Sequence, residues 1–171
     1  MTANRVERAR HKAHDLYAGQ RVPHHSCGIC IAATFDLPTR PFQALRKGGV
    51  TGVGECGSIV AGRLVLGYFL GDPDPIGPLR PELLEAMEYY EKLWRERTAP
   101  GQTLTHGQNS DIYCNTLVGH LADDFWGQER MGYCTRLSAQ VAACVTETLE
   151  KYGVEFEIDP LPDLTTTRGS S

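Results

Sequence analysis

No stretch of this 171-residue chain is apolar for long enough to cross a bilayer as a helix. The N-terminal MTANRVERARHKAHDL is charged and lacks the apolar segment of a secretory leader. These two absences point to a cytoplasmic protein. Basic character is also lacking: 17 lysines and arginines stand against 21 acids, a net charge of −4, and no basic stripe forms, which argues against a nucleic-acid partner. There is no internal repeat, and the pattern predicts no sheet. Only one C-x-x-C occurs, Cys27 to Cys30. A structural zinc site usually takes two such pairs, and no βαβ pattern surrounds this one as a thioredoxin-like fold would require.

Cysteine itself is present in number. Six cysteines in a reducing compartment point to metal binding or redox chemistry more than to structural disulfides. The stretch from Arg46 to Gly71 organises the rest. It opens with a glycine-dense loop, Gly48, Gly49, Gly52 and Gly54, passes through Glu55-Cys56-Gly57, and becomes apolar almost all round. Glycine lets the main chain approach a ligand closely, so Gly52, Gly54 and Gly57 are candidate cofactor-binding positions. The apolar run predicts a buried central helix over about 55–71. Cys56 then falls in its first turn, where free N–H groups and the helix dipole favour thiolate. The alternative is a buried cysteine packed as a small hydrophobe. Arg63, two turns after Cys56 and nearly on its face, is a candidate cation for thiolates or a bound anion, with a salt bridge at the bundle surface as the other reading.

The flanking segments predict further helices. Residues 3–18 place Val6, Ala9, Ala13, Leu16 and Tyr17 on one face and Arg5, Glu7, Arg8 and Lys12 on the other, with Gly19 as the stop. His11 and His14 are three apart and read mainly as solvated surface. Ser26 is suited to cap a helix running from Cys27 to about Phe35, so that Cys27 and Cys30 share a face. Of the adjacent His24 and His25, at most one would reach a shared site. Pro41 to Lys47 reads as a helical turn and Asp72 to Pro78 as a stiff connector. Residues 81–97 place Leu83, Leu84, Met87, Tyr90, Leu93 and Trp94 at helical spacing, with Glu88–Lys92 and Glu91–Arg95 pairs outside. Residues 99–108 read as a loop. Asn109 or Ser110 would cap the next helix, with Cys114 just inside it and His120 on the surface. From about Glu129 to Tyr152, Cys134, Leu137, Val141, Cys144, Val145 and Leu149 form one stripe, and Gly153 ends the helix. Val154, Phe156 and Ile158 alternate as a short extended segment.

The fold class expected is all-α, a bundle of five or six helices around the central apolar helix. The domain expected is 1–153, with 154–171 an extended or disordered tail. Cys27, Cys56 and Cys114 open three different helices and Cys134 faces inward on a fourth. That placement suggests helix ends converging on one thiolate-rich site.

At these residues the chain resembles a family of small redox-active proteins named for their C…GCAxxG…C…C pattern. His25-Ser26-Cys27-Gly28-Ile29-Cys30-Ile31-Ala32 is similar to the family's first-cysteine helix. The Gly48–Glu55 loop and Cys56-Gly57-Ser58-Ile59-Val60-Ala61-Gly62 resemble its glycine loop and central motif. Cys114-Asn115-Thr116-Leu117-Val118-Gly119 and Cys134 follow as the third and fourth segments. Ser58 stands where the pattern has alanine, Gly62 comes one place late, Arg63 replaces an apolar residue, and Cys30 and Cys144 are additional. The resemblance implies redox or metal chemistry and covers roughly residues 10–150.

Three functional classes follow. The first is electron transfer through an iron–sulfur cluster or other metal on Cys27, Cys56, Cys114 and Cys134, with a redox partner protein and a homo- or hetero-oligomer as the assemblies implied. The second is a metal-free thiol–disulfide or sulfur relay with Cys27 and Cys56 as catalytic sulfurs, or with Cys27 and Cys30 as the pair. The third is a structural helical subunit of a larger complex whose cysteines are inert.

Overall fold

The computed structural model describes residues 4–98, 112–119, 121 and 126–162. It is all-α: α1 (Arg5–Ala18), α2 (Cys27–Thr34), a 3-10 helix (Arg40–Leu45), α3 (Gly57–Leu70), α4 (Pro81–Thr98), α5 (Cys114–Val118) and α6 (Gln128–Lys151). Among the described residues there is no strand, only an isolated antiparallel bridge between Glu55 and Tyr113. None of the described helices is long and apolar enough to cross a membrane.

The helix ends follow local chemistry. Asn4 caps α1 by accepting from the Glu7 amide at 2.8 Å, and Gly19 closes it in the left-handed region, donating to the Asp15 carbonyl. Ala9, Ala13, Leu16 and Tyr17 are buried as the apolar spacing predicts. Lys12, expected on the outer face, is also buried, its stem in the core and its Nζ on Asp36 at 3.1 Å. Pro81 starts α4, where a proline needs no intrahelical partner. Tyr90 and Trp94 are among the largest fully buried side chains, whereas Leu84 is exposed.

α6 packs against α1, α2, α3 and α4, and its pairing with α1 is the most extensive interface in the fold. α3 packs against α2, α4, α6 and the 3-10 helix, but Leu64 and Tyr68 on its outer side are exposed, so it is not buried all round. The crossing of α3 and α4 depends on Gly62. A Cβ there would lie 2.1 Å from the Tyr90 hydroxyl, which donates to the Ile59 carbonyl at 2.9 Å. Ser58 and Ser138 join α3 to α6 through a buried hydroxyl pair at 2.7 Å.

The core continues beyond residue 153. Phe156 and Ile158 of the extended 154–162 segment are buried, and the Phe156 ring packs against Phe35 and Phe69 under the Arg5 guanidinium. The alternation at Val154, Phe156 and Ile158 therefore marks a segment that completes the domain rather than a tail attached to it.

Candidate functional site

The glycine loop builds the site by clasping the segment that carries Cys114. Lys47, Gly48, Gly49 and Val50 are four successive residues with positive φ. The turn they form is closed by Val50 N–H on the Arg46 carbonyl at 2.6 Å and Gly52 N–H on the Lys47 carbonyl at 2.8 Å. The Gly54 carbonyl then accepts from the Cys114 amide at 2.9 Å, and the Gly52 carbonyl from the Asn115 amide at 3.1 Å. Close approach explains the glycines. A Cβ on Gly48 would stand 2.6 Å from the Cys114 Cβ, and one on Gly52 would stand 2.8 Å from Asn115 Oδ1. Gly52 and Gly54, expected to bind a cofactor, thus hold Cys114 in place and do not line the cavity.

The starts of α2 and α3 meet with similar closeness. A Cβ on Gly57 would lie 2.1 Å from the Leu45 carbonyl oxygen and 3.0 Å from the Cys27 Cβ. Gly57 lines the cavity, and these contacts leave no room for a side chain at its position. Cys27 opens α2 with φ +43°, a left-handed conformation costly for a non-glycine residue, and the Lys47 amide donates to its sulfur. Ser26 sits at the cap position expected, yet its side chain makes no capping bond, and its buried Oγ has no hydrogen-bond partner. Cys56 is the cap residue of α3 rather than a member of its first turn.

Four of the six cysteines come together. Cys27, Cys56, Cys114 and Cys134 all line a single cavity of about 20 Å³, each from a different part of the chain. That volume admits about one water molecule. Leu117, Val118 and Leu137 make much of its remaining wall apolar, while Tyr17, Arg130 and Tyr133 add polar groups. Arg130 Nη2 donates to Cys114 Sγ at 3.4 Å. The Tyr17 hydroxyl lies within hydrogen-bonding reach of the Cys27 and Cys134 sulfurs. All six cysteines are free thiols.

Burial raises the pKa of three of the cavity thiols, Cys27, Cys56 and Cys134. It pushes Cys56 up to about 12, with Cys27 adding to the rise and the Ile59 and Ser58 amides pulling back less strongly. It pushes Cys134 up to about 11, against the Tyr17 hydroxyl and Arg130. Cys27 is raised as well, by burial first, opposed by the Lys47 amide and raised again by Cys114. At the start of α3 two effects oppose each other: the helix end lowers the Cys56 pKa, as expected, but removing the sulfur from water raises it more.

Other expected residues fall outside the cavity. Arg63 bridges Glu55 at 3.0 Å and Glu91 at 2.5 Å, tying the loop before Cys56 to α4 as in the salt-bridge reading, and it does not line the cavity. Cys30 is fully buried behind Cys27, and Cys144 is buried elsewhere in the core. His11 and His14 are exposed. His24 stacks edge-on against Tyr17 and bonds its carbonyl, and His25 bonds the Pro23 carbonyl. The expected loop at 99–108, the cap at Asn109 or Ser110, His120 and the end of the tail lie outside the described residues.

Sequence reasoning missed Tyr17, Arg130 and Tyr133. Tyr17 lies on the apolar stripe of α1, and its hydroxyl end is the available signal: a buried phenol needs a polar partner. Arg130 is four residues before Cys134, one helical turn, which places the two on one face of α6.

No group of three or more histidine, cysteine, aspartate or glutamate side chains among the described residues stands close enough to hold one metal ion. A single ion draws all its ligands to one point, whereas an iron–sulfur cluster takes thiolates on separate irons and accepts a wider spread. The four sulfurs suit the second case by chemistry and by number. The cavity, with room for one water, would have to widen to admit a cluster.

The chain matches no family model, no curated protein and no solved structure. The resemblance to the cysteine-pattern family rests on the four cysteine segments themselves.

Proposed function

We propose that this is a redox-active cysteine protein whose chemistry takes place at the four-cysteine cavity. The observation that carries the reading is the convergence of Cys27, Cys56, Cys114 and Cys134 on one small, largely apolar space. Buried thiolates crowded together are unfavourable, as the mutual upward push of Cys27 and its neighbours indicates. Such sulfurs are stable as neutral thiols, as a disulfide, or bound to cations.

The cavity as it stands favours thiol–disulfide chemistry, because a disulfide needs no added volume. Two cavity thiols lose two protons and two electrons and form one sulfur–sulfur bond, and an incoming disulfide takes them up to become two thiols. The candidate pairs are Cys27 with Cys56 and Cys27 with Cys30, and the Cys27 Cβ packs against Gly57, the residue after Cys56.

The second reading is an iron–sulfur centre held by the same four cysteines, favoured by the four soft donors from separate elements. A bound cluster would supply one-electron transfer, and Arg130 and Tyr17 would offset its negative charge.

One preparation separates the readings. The chain is purified anaerobically, assayed for iron and acid-labile sulfide, and titrated for thiols before and after a mild oxidant. Colourless, iron-free protein that reversibly loses two thiols supports the relay. Brown protein with iron and sulfide supports the cluster. Iron-free protein whose thiols neither oxidise nor alkylate refutes both and leaves a structural subunit.

A further inference from the structure

Beside the cysteine cavity lies a second recess of about 350 Å³, lined by Arg97, Thr98, Tyr133, Arg136, Leu137 and Gln140. That volume is in the range of small-molecule sites. Tyr133 and Leu137 belong to both spaces, so these two α6 side chains form a shared wall. The Tyr133 phenol registers both sides: burial and then Cys56 and Cys134 push its pKa up, and Arg136 pulls it down.

The positive charge of the recess is unevenly committed. Arg97 is held by Glu147 in a two-point pair at 2.5 and 2.6 Å. Gln140 Oε1 is taken by Arg10 Nη1 at 2.6 Å. Arg136 is exposed, and its Nη1 folds back over Gly132, where a Cβ would stand 3.3 Å away. A cation thus lines the recess that shares Tyr133 with the cysteine cavity, without lining that cavity itself. An anion bound among the cysteines themselves would be repelled whenever one of them ionised. An anion on Arg136 would stand apart from them, and the rest of its molecule would lie against Tyr133 and Leu137, which also line the cysteine cavity.

We propose that this recess binds a small disulfide carrying a carboxylate, with the carboxylate on Arg136 and the sulfur–sulfur bond directed past Tyr133 toward the cysteine cavity. The proposal rests on the thiol–disulfide reading of that cavity. Two cavity thiols pass two electrons and two protons to the bound disulfide. Its sulfur–sulfur bond breaks, one forms between cysteines, and two small carboxylate-bearing thiols leave through the recess.

Two chromogenic disulfides of opposite character provide the test: dithiobis(2-nitrobenzoate), which carries two carboxylates, and uncharged dithiodipyridine. Each is mixed anaerobically with the reduced, metal-free chain, and the released thiol is followed by absorbance. Arg136→Gln is expected to slow the charged reagent about tenfold while leaving the uncharged one unchanged, and Arg136→Lys to restore most of the rate. Arg136 is exposed, so these changes leave the core intact. If Arg136→Gln slows both reagents alike, or neither, the recess does not select the anion and the proposal is overturned while the redox reading stands. If the native chain reacts with neither reagent, the redox reading fails and this proposal fails with it.

Discussion

The Cys56 amide donates to the Ile112 carbonyl at 2.6 Å. The cap of α3 and the segment presenting Cys114 are therefore one hydrogen-bonded unit, with the Cys114 amide returned to the Gly54 carbonyl. Two of the four cavity sulfurs are positioned by the same strip of backbone, and a disturbance of the glycine loop reaches both.

Two glycines of α3 should respond oppositely to alanine. At Gly57 the new methyl would meet the Leu45 carbonyl oxygen at 2.1 Å, a backbone atom that cannot swing aside. Gly57→Ala should lose about 1–3 kcal/mol and push Cys27 and Cys56 apart. At Gly67 a Cβ meets nothing within 4 Å, so Gly67→Ala should gain about 0.5–1 kcal/mol from helix propensity. Urea denaturation midpoints measure both, and equal effects at the two sites would contradict the packing described.

Cys56→Ser should separate chemistry from stability. Serine is a favoured cap residue and Cys56 is the cap of α3, so the cost is on the order of 1 kcal/mol. Reversible thiol loss, or cluster content, should collapse. Cys144→Ser buries a hydroxyl away from the cavity and should cost about 1–3 kcal/mol with the chemistry retained. Mass-spectrometric mapping of oxidised cysteines, with circular dichroism for the fold, checks both. Full cycling in Cys56→Ser would remove that residue from the mechanism.

The reduced, metal-free chain should lose stability in mild alkali. Cys56 titrates near 12 and Cys134 near 11 when folded, whereas an unfolded cysteine does so at about 8.5. Below the unfolded value both states are protonated and the full contribution is present. As pH rises through that value toward the folded ones, the unfolded state ionises first and gains. Urea midpoints should fall from about pH 8.5 upward, and less steeply in Cys134→Ser. An equal slope in that variant would show that other groups set the dependence.

Legibility followed the physics of each element. The helices of α1, α4 and α6 were plain in apolar spacing, because a surface helix must bury one stripe. The four cavity cysteines were legible because each opens a helix or joins its inner stripe. The roles of Gly52 and Gly54 were not, since a close approach between loop and distant backbone is written in neither segment alone. Nor was the charge state of Cys56. A helix terminus is visible in sequence, but desolvation depends on what the rest of the chain packs above it.

Acid should weaken the link between the glycine loop and α4. Burial raises the Glu91 carboxyl, but Arg63 and Arg95 outweigh it and hold it below the ordinary range. Its contribution is complete above the unfolded value of about 4.3 and is lost as pH falls through the lower folded one. Glu91→Gln should flatten the acid limb of stability against pH and leave the alkaline limb unaltered. Thermal midpoints between about pH 3 and pH 7 test this, and an unchanged acid limb would exclude the Arg63–Glu91 pair as its source.

The pairing of α1 with α6 has a consequence for how the chain comes into being. Arg10 and Gln140 meet across 130 residues, and the largest helix–helix interface among the described residues joins α1 to α6. During synthesis the apolar face of α1 emerges long before its partner and waits uncovered while the ribosome makes everything between them. Phe156 and Ile158 come later still. Contacts so distant in sequence slow folding, so the apolar stripe of α1 stays exposed until α6 is made.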